Sequence, residues 1–256
     1  MNTVVIQSFR SSDVPRYIVE CCNSVRSWAQ MAGYSYRFFD DTFLDLVPDW
    51  YRRKAGPHIC VVTDLARLIQ AQHLLMNGFD RVVWCDADML VFRPESLALQ
   101  VSWTCAYCKE VWVFKDEFGR LSALQKVNNS MCVFTKAGLG HLAEYIDQCY
   151  AIVQASPNIA SDLSVGTELL TAVHSSKALI SSVGIVSPHL MEAVLENDEQ
   201  TLSQYLALQG TPIYSANLCN AIRRSFGNCP KLFDYLCAGV VEKLRSGRPG
   251  ELLSQS

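Results

Sequence analysis

Arg81-Val-Val-Trp-Cys-Asp86-Ala-Asp88-Met-Leu-Val-Phe92 is an apolar run interrupted only by two carboxylates two residues apart. An ionised carboxylate inside an apolar strand is strongly unfavourable, so a strand must end at Asp86 and deliver both acids to a surface or to a cation. Alternating carboxylates at the carboxyl end of a strand offer hard oxygen ligands, and Mg²⁺ or Mn²⁺ takes one or two of these together with substrate phosphates. The implied partner is a diphosphate. Two Asp residues bonding their own backbone in an ordinary turn would share this spacing. The apolar residues on both sides argue for more, because a casual loop would be more polar.

Working outward, Val4 to Ser8 reads as a first strand, followed by cap candidates Ser11, Ser12 and Asp13 and a helix from Pro15 to Ala32 that stops at Gly33. Tyr34 to Phe39 alternates as a second strand. A loop rich in Asp, Pro and Trp runs to Pro57, and a helix over Ile59 to Met76 closes on Asn77-Gly78, a left-handed carboxyl cap. Strands alternating with helices predict a largely parallel sheet whose ligands bind at the carboxyl ends of the strands.

Downstream, Val111 to Phe114 and Arg120 to Leu124 read as an antiparallel hairpin and Met131 to Phe134 as a buried strand, which makes the sheet mixed. Further helices are expected at Leu139–Gln154, Thr167–Ser175, Glu199–Leu208 and Lys231–Leu244, with short strands in Ala178–Ile185 and Ile213–Ser215.

Composition bounds the class. The 256 residues, half of them hydrophobic, suffice for one α/β core, so residues 1–245 are expected to form a single domain and 246–256 a disordered tail. A net charge of −3 with mixed signs lacks the basic stripe that nucleic-acid binding needs. No signal-type segment opens the chain and no apolar stretch is expected to reach the roughly 18 to 20 residues that span a bilayer, so the expected localisation is cytoplasmic. Eleven cysteines scattered through apolar runs suit reduced thiols in the core. Cys105-Ala-Tyr-Cys108 has the spacing of zinc and redox motifs, but no second ligand pair follows and Val101 to Cys108 alternates like a strand.

Thr63-Asp64-Leu-Ala-Arg67, followed by Asn77-Gly78-Phe-Asp-Arg-Val-Val-Trp-Cys-Asp86-Ala-Asp88-Met-Leu-Val-Phe, resembles the core of nucleotide-sugar glycosyltransferases of the GT-A fold. The stretch from Lys54 to Phe92 carries most of the resemblance. It implies a Rossmann-like αβα sandwich with a mixed, mostly parallel central sheet. It also implies a metal-dependent hexosyltransferase that uses a nucleotide sugar, expected to be a UDP-sugar, and passes the sugar to a hydroxyl of a glycan, lipid-linked or protein acceptor.

In such enzymes the Asp-x-Asp element, here Asp86, Ala87 and Asp88, binds Mn²⁺ or Mg²⁺ and the donor diphosphate. By the same resemblance Asp64 and Arg67 would line the donor pocket, and Gln7-Ser8-Phe9-Arg10 would contact base and ribose. Asn128-Asn129-Ser130-Met-Cys-Val-Phe is similar to the Asn-Ser/Ala-Gly strand entry of retaining members such as glycogenin-like and capsular-polysaccharide enzymes, with Met131 in place of the usual Gly. Asn129, Asp162 and Glu168 are then the candidates for the catalytic centre. The Asp162-Leu-Ser-Val-Gly166-Thr167-Glu168 segment also reads as a plain helix start capped by Thr167.

The late His that supplies a third metal ligand in many relatives is missing; Asn217 is the favoured substitute, with Asn220 and His189 as others. Lys54, Arg52 or Arg53 could neutralise the leaving diphosphate, or could simply form a solvated basic loop.

Two alternatives compete with a transferase. A non-catalytic nucleotide-sugar-binding protein could keep Asp86 and Asp88 without turnover. A haloacid-dehalogenase-type phosphatase also ends a strand in Asp-x-Asp, but Leu90 stands where that family usually has Thr or Val, and its later Gly-Asp-x-x-x-Asp motif is missing.

Overall fold

A computed structural model describes residues 1–173, 178–226 and 229–255. The main sheet grows around β1 (Thr3–Ser8), whose Val4, Val5 and Ile6 are wholly buried. α1 (Arg16–Met31) turns through Gly33, at φ +71°, into β2 (Ser35–Phe39), which pairs parallel with β1. α3 (Ile59–Met76) ends at Asn77 and Gly78, the latter at φ +109°, a backbone that glycine adopts without a side-chain penalty. β3 (Arg81–Cys85) then lies parallel to β1 on its other side.

Two long antiparallel strands follow, β5 (Cys105–Lys115) and β6 (Leu121–Thr135), and β6 runs antiparallel to β3. With β7 (Ala178–Ile180) parallel to β5, the order is β2-β1-β3-β6-β5-β7, a mixed sheet in which β6 alone is reversed.

The alternation of side chains along these strands divides the core into two faces. Val4, Ile6, Val82 and Trp84 pack with α3 and α4 (Leu139–Ala155), while Val5, Val83 and Cys85 pack with Val25, Trp28 and Ala29 of α1. Helices therefore cover both faces. A three-stranded sheet joins β4 (Met89–Val91), β9 (Ser215–Asn217) and β8 (Val183–Ile185), with Met89 opposite Asn217. A third apolar cluster lies around α6 (Pro188–Glu196), α7 (Glu199–Gln209) and α8 (Pro230–Ser246).

The structure amends several expectations. The segment read as a loop before Pro57 holds a 3-10 turn at Asp41–Leu46 and α2 (Asp49–Ala55), whose apolar contacts are too short in sequence to show a period. The hairpin strands extend well past the predicted ends, and Ala178–Ile185 splits into β7 and β8, which belong to different sheets. α6 was not anticipated; Ser187 caps it and Pro188 opens it. α5 (Thr167–Val173) is described, while the predicted extension to Ser175 falls outside the described residues.

Contrary to the expectation that no apolar stretch is long enough, α3 suffices by length and composition alone to cross a membrane, although more than half of it is buried inside the protein. None of the eleven cysteines forms a disulfide among the described residues, and most of them are buried.

The expected disordered tail is instead α9 (Arg248–Ser254), with Pro249, Gly250 and Leu253 buried. Leu253 joins the cluster of α6, α7 and α8, and its carbonyl accepts from Ile213 N. The tail is short and carries few apolar residues, so its own composition could not reveal the groove that receives it. Leu253→Ala should lower stability by about 2–5 kcal/mol, the usual cost of a buried leucine truncation. Equilibrium denaturation measures this, and an unchanged midpoint would mean that the tail contributes nothing.

Candidate active site

Strand β3 ends where the sequence requires. Its last pair is Cys85 with Met131 of β6, and Asp86 N then donates to Ser130 O at 2.7 Å. Asp86 and Asp88 emerge at the carboxyl end of β3, and β4 carries the chain back into the interior.

The two acids have different surroundings. Asp86 Oδ1 receives Trp84 Nε1 at 2.7 Å and lies 3.1 Å from an Arg67 guanidinium nitrogen. Its side chain stays 26% exposed and so reaches solvent. Asp88 is 7% exposed and has no cationic partner among the described residues. Asn217 Nδ2 donates to its Oδ1 at 2.9 Å and Asn220 N to its Oδ2 at 2.6 Å.

Burial, followed by the charge of Asp86, pushes the Asp88 carboxyl up to about 7. Burial also raises Asp86, against the opposing pull of Arg67 and the Trp84 hydrogen bond.

Beneath Asp86 lies a buried charge cluster. Arg67, three residues after Asp64 on α3, pairs with Asp64 at 2.8 Å, donates to Asn129 O at 2.7 Å and sits 4.7 Å from the Trp84 ring centroid. Asn129 Nδ2 closes the cluster by donating to Asp64 Oδ1 at 2.9 Å. Burial works against the Arg67 charge, yet Asp86 and Asp64 outweigh it and hold it raised. Asp64 is pushed up to about 6, chiefly by burial, with Arg67 pulling the other way. Gly166 abuts this cluster so closely that a Cβ would lie 2.5 Å from Asp64 Oδ2 and 2.9 Å from Asn129 Nδ2.

The predicted site residues thus fall into groups. Asp86, Asp88, Asp64, Arg67, Asn129 and Asn217 come together. Asp64 and Arg67, at 4% and 6% exposure, stand behind Asp86 and hold it rather than presenting free charges to a donor. Gln7 is fully buried and bridges Tyr36 OH to Asp86 O, so it fixes backbone instead of touching a base. Ser8 and Phe9 are half-buried, and Arg10 folds onto the carbonyls of Ser12 and Asp13. Phe9, Arg10, Arg26 and Phe38 line a pocket of about 240 Å³. Ala87 is buried and its carbonyl receives Cys22 Sγ.

Asp162 pairs with His58 at 3.1 Å, beside the start of α3, and its charge contributes to the rise at Asp64. Glu168 is exposed in the first turn of α5, and no hydrogen bond or ion pair among the described residues ties it to the cluster.

Two proposed third ligands need correction. Asn217 turns its nitrogen to the acids, while its Oδ1 accepts from Cys219 N at 2.8 Å, so it orients Asp88 and would have to turn over to ligate a metal. His189 lies elsewhere, in a groove of about 610 Å³ shared with the hairpin tip and α7, facing Glu192 at 3.4 Å. Among the basic candidates, Arg52 pairs with Asp45 and Asp49, and Lys54 donates to Gln154 O.

The donor set nevertheless fits a divalent cation. No group of three or more His, Cys, Asp and Glu among the described residues could hold a metal alone. Two adjacent carboxylates, one with no cation among the described residues, match the partial shell that Mg²⁺ or Mn²⁺ completes with substrate phosphates and water.

Sequence reasoning passed over Trp84, Tyr17, His58 and Glu110. Trp84 was legible, since it lies two residues before Asp86 and so faces the same side of the strand. Tyr17 OH donates to Asn220 Oδ1 across 203 positions, a contact that no local pattern signals.

No family model matches the chain, and no curated protein matches it by sequence. Among solved structures, a glycosyltransferase involved in glycosylation of the major capsid of PBCV-1 aligns over 93% of this chain and 100% of its own, with 8% identity and a TM-score of 0.51. Mouse xyloside xylosyltransferase 1 in its apo form aligns over 89% and 97%, with 9% identity and a TM-score of 0.42. A197 from STIV aligns over 58% and 68%, at 11% identity and 0.28. The α/β architecture with its mixed six-stranded sheet is the GT-A fold of glycosyltransferases.

Two outcomes are expected. Asp64 and Asp88 both hold protons more tightly folded than at their ordinary 3.8, so the folded state binds more protons than the unfolded one between 3.8 and about 7. Stability must fall as pH rises through that window. Thermal unfolding in EDTA should show a higher midpoint at the acidic end, and a midpoint that climbs with pH would contradict the assignment. Gly166→Ala should separate Asp64 from Asn129 and cost about 1–3 kcal/mol by overpacking, read by denaturant unfolding.

Proposed function

We propose that this chain is a metal-dependent glycosyltransferase that moves a sugar from a nucleotide-sugar donor, a UDP-sugar in the first instance, to an acceptor hydroxyl. The observation that carries the reading is Asp88: a buried carboxylate beside Asp86, held by two neutral donors and by no cation among the described residues, at the carboxyl end of β3 in a GT-A fold. Such a group is costly to fold around unless a cation arrives to compensate it.

Asp86 and Asp88 would hold Mn²⁺ or Mg²⁺, which when bound stabilises negative charge on the departing diphosphate. The protein's own part is orientation. Arg67, Trp84 and the Gln7 bridge fix Asp86, while Asn217 and Asn220 fix Asp88, so both acids wait in place before any donor binds. Preorganised charge of this kind is an effective way to favour a transition state.

Asn129, between Asp64 and the end of β6, is the side chain that the resemblance to retaining enzymes assigns to the donor sugar, and retention belongs to this reading. Asp162, with its His58 partner, is the remaining predicted acid whose charge acts on Asp64. The phosphatase alternative finds no support in the GT-A sheet. The binding-protein alternative predicts nucleotide affinity without turnover.

Thermal unfolding with UDP, GDP and CDP, each with and without Mn²⁺, tests the proposal. A ligand at 100 times its Kd stabilises the folded state by about 2.7 kcal/mol, which is several degrees in Tm for a chain of this size. Stabilisation by one nucleoside diphosphate that requires Mn²⁺, vanishes in Asp88→Asn and weakens as pH drops toward the Asp88 protonation range is the expected result. Equal shifts with and without metal, or none, would reject it.

A further inference from the structure

We propose that Glu110 is the proton acceptor for the attacking hydroxyl in this site; the inference rests on the transferase reading and deepens it. Glu110 lies on β5 and is only 5% exposed. It follows the irregularity at Tyr107/Cys108, where the β5–β6 register jumps from Tyr107 opposite Cys132 to Cys108 opposite Asn128. That jump sets Glu110 next to the strand segment that enters the site.

Asn128 Nδ2 donates to Glu110 Oε2 at 2.7 Å, and Asn128 Oδ1 accepts from Ser130 N at 2.7 Å. Ser130 O in turn receives Asp86 N. The Asn128 side chain and the Ser130 backbone therefore link Glu110 to the backbone of Asp86. Burial first, and then the charges of Asp88, Glu110 and Asp86, raise the Cys219 thiol, so all three carboxylates act on the same group.

A structural role explains Glu110 poorly. Its Oε1 carries no hydrogen bond among the described residues, and it forms no ion pair there although Lys126 stands opposite on β6. A buried carboxylate with one neutral donor costs stability. The other acids at this end of the sheet are engaged: Asp64 and Asp86 with Arg67, Asp162 with His58, and Asp88 with the proposed cation. Glu110 forms no ion pair among the described residues, and burial raises its carboxyl against the opposing pull of the Asn128 hydrogen bond and the Lys126 charge.

In the proposed step the acceptor oxygen bonds to the anomeric carbon on the face from which the diphosphate departs, as the bond from that carbon to the diphosphate oxygen breaks. The electron pair leaves with the diphosphate, the hydroxyl proton passes to Glu110 Oε1, and solvent later removes it. Water can serve as the acceptor in a test.

Glu110→Gln keeps the Asn128 hydrogen bond and cannot take up the proton. The measurement is UDP or GDP release from UDP-glucose, UDP-galactose and GDP-mannose with Mn²⁺, alongside Mn²⁺-dependent thermal stabilisation by UDP and GDP. Release should fall by about 100-fold or more, within the usual range for a general base, and the acid limb of the kcat/KM profile should disappear while nucleotide stabilisation matches the parent protein. Release within threefold of the parent would overturn the proposal and leave the departing diphosphate as the base. Loss of nucleotide stabilisation together with release would also overturn it, by making Glu110 structural. A parent protein that binds no nucleotide and releases none would instead fail the transferase reading, and this proposal with it.

Discussion

The structure turns on one buried cation. Arg67 lies 6% exposed among Asp64, Asp86, the Asn129 carbonyl and the face of Trp84, and it ties α3, β3 and β6 together at the end of the sheet. A guanidinium suits this place because its planar fork can serve several acceptors while its face stacks on an aromatic ring, and its charge persists at any working pH. Removing it would strand two carboxylates in the interior, and breaking such a cluster costs several kcal/mol even where the intact cluster adds little net stability. Its benefit is placement. One arm of the acid pair is fixed by charge, and the other meets no cation among the described residues.

That asymmetry gives the site its chemical character. Asp86 is neutralised from behind and open to solvent in front, while Asp88 is enclosed by amide donors from a different part of the chain. Wrapping Asp88 requires Cys219 to adopt φ +53°, an uncommon conformation for a residue with a side chain. The loop that pays this strain supplies Asn217 and Asn220, and Tyr17 from α1 pins Asn220 in turn. Backbone strain of this sort persists where surrounding contacts over-determine it.

The second, three-stranded sheet has a matching purpose. By pairing Met89 with Asn217 it brings a residue more than 120 positions away against the acids, a place where many enzymes of this fold were expected to put a histidine. The amide does different work from a metal-ligating ring, since its nitrogen faces the carboxylates. The site is therefore leaner in protein ligands than the resemblance implied, and the substrate's own phosphates would have to complete a cation's shell.

How much was legible in the sequence follows from the range of the forces involved. The end of β3 at Asp86, the helix over Ile59–Met76 and its glycine stop, and the mixed sheet could be read because burial, periodicity and turn chemistry act between near neighbours. The same holds for Asp64 and Arg67 sharing a face and for Trp84 preceding Asp86 by two. The roles of Gln7, Asn217 and Glu110, the displacement of His189, and the ordered α9 could not be read, because each depends on groups that only the folded chain brings together. Sequence by itself determined which residues must leave the core and which strand must deliver them. Tertiary structure decided what each would meet there, because the energy of a buried polar group is set by its three-dimensional partners and not by its position along the chain.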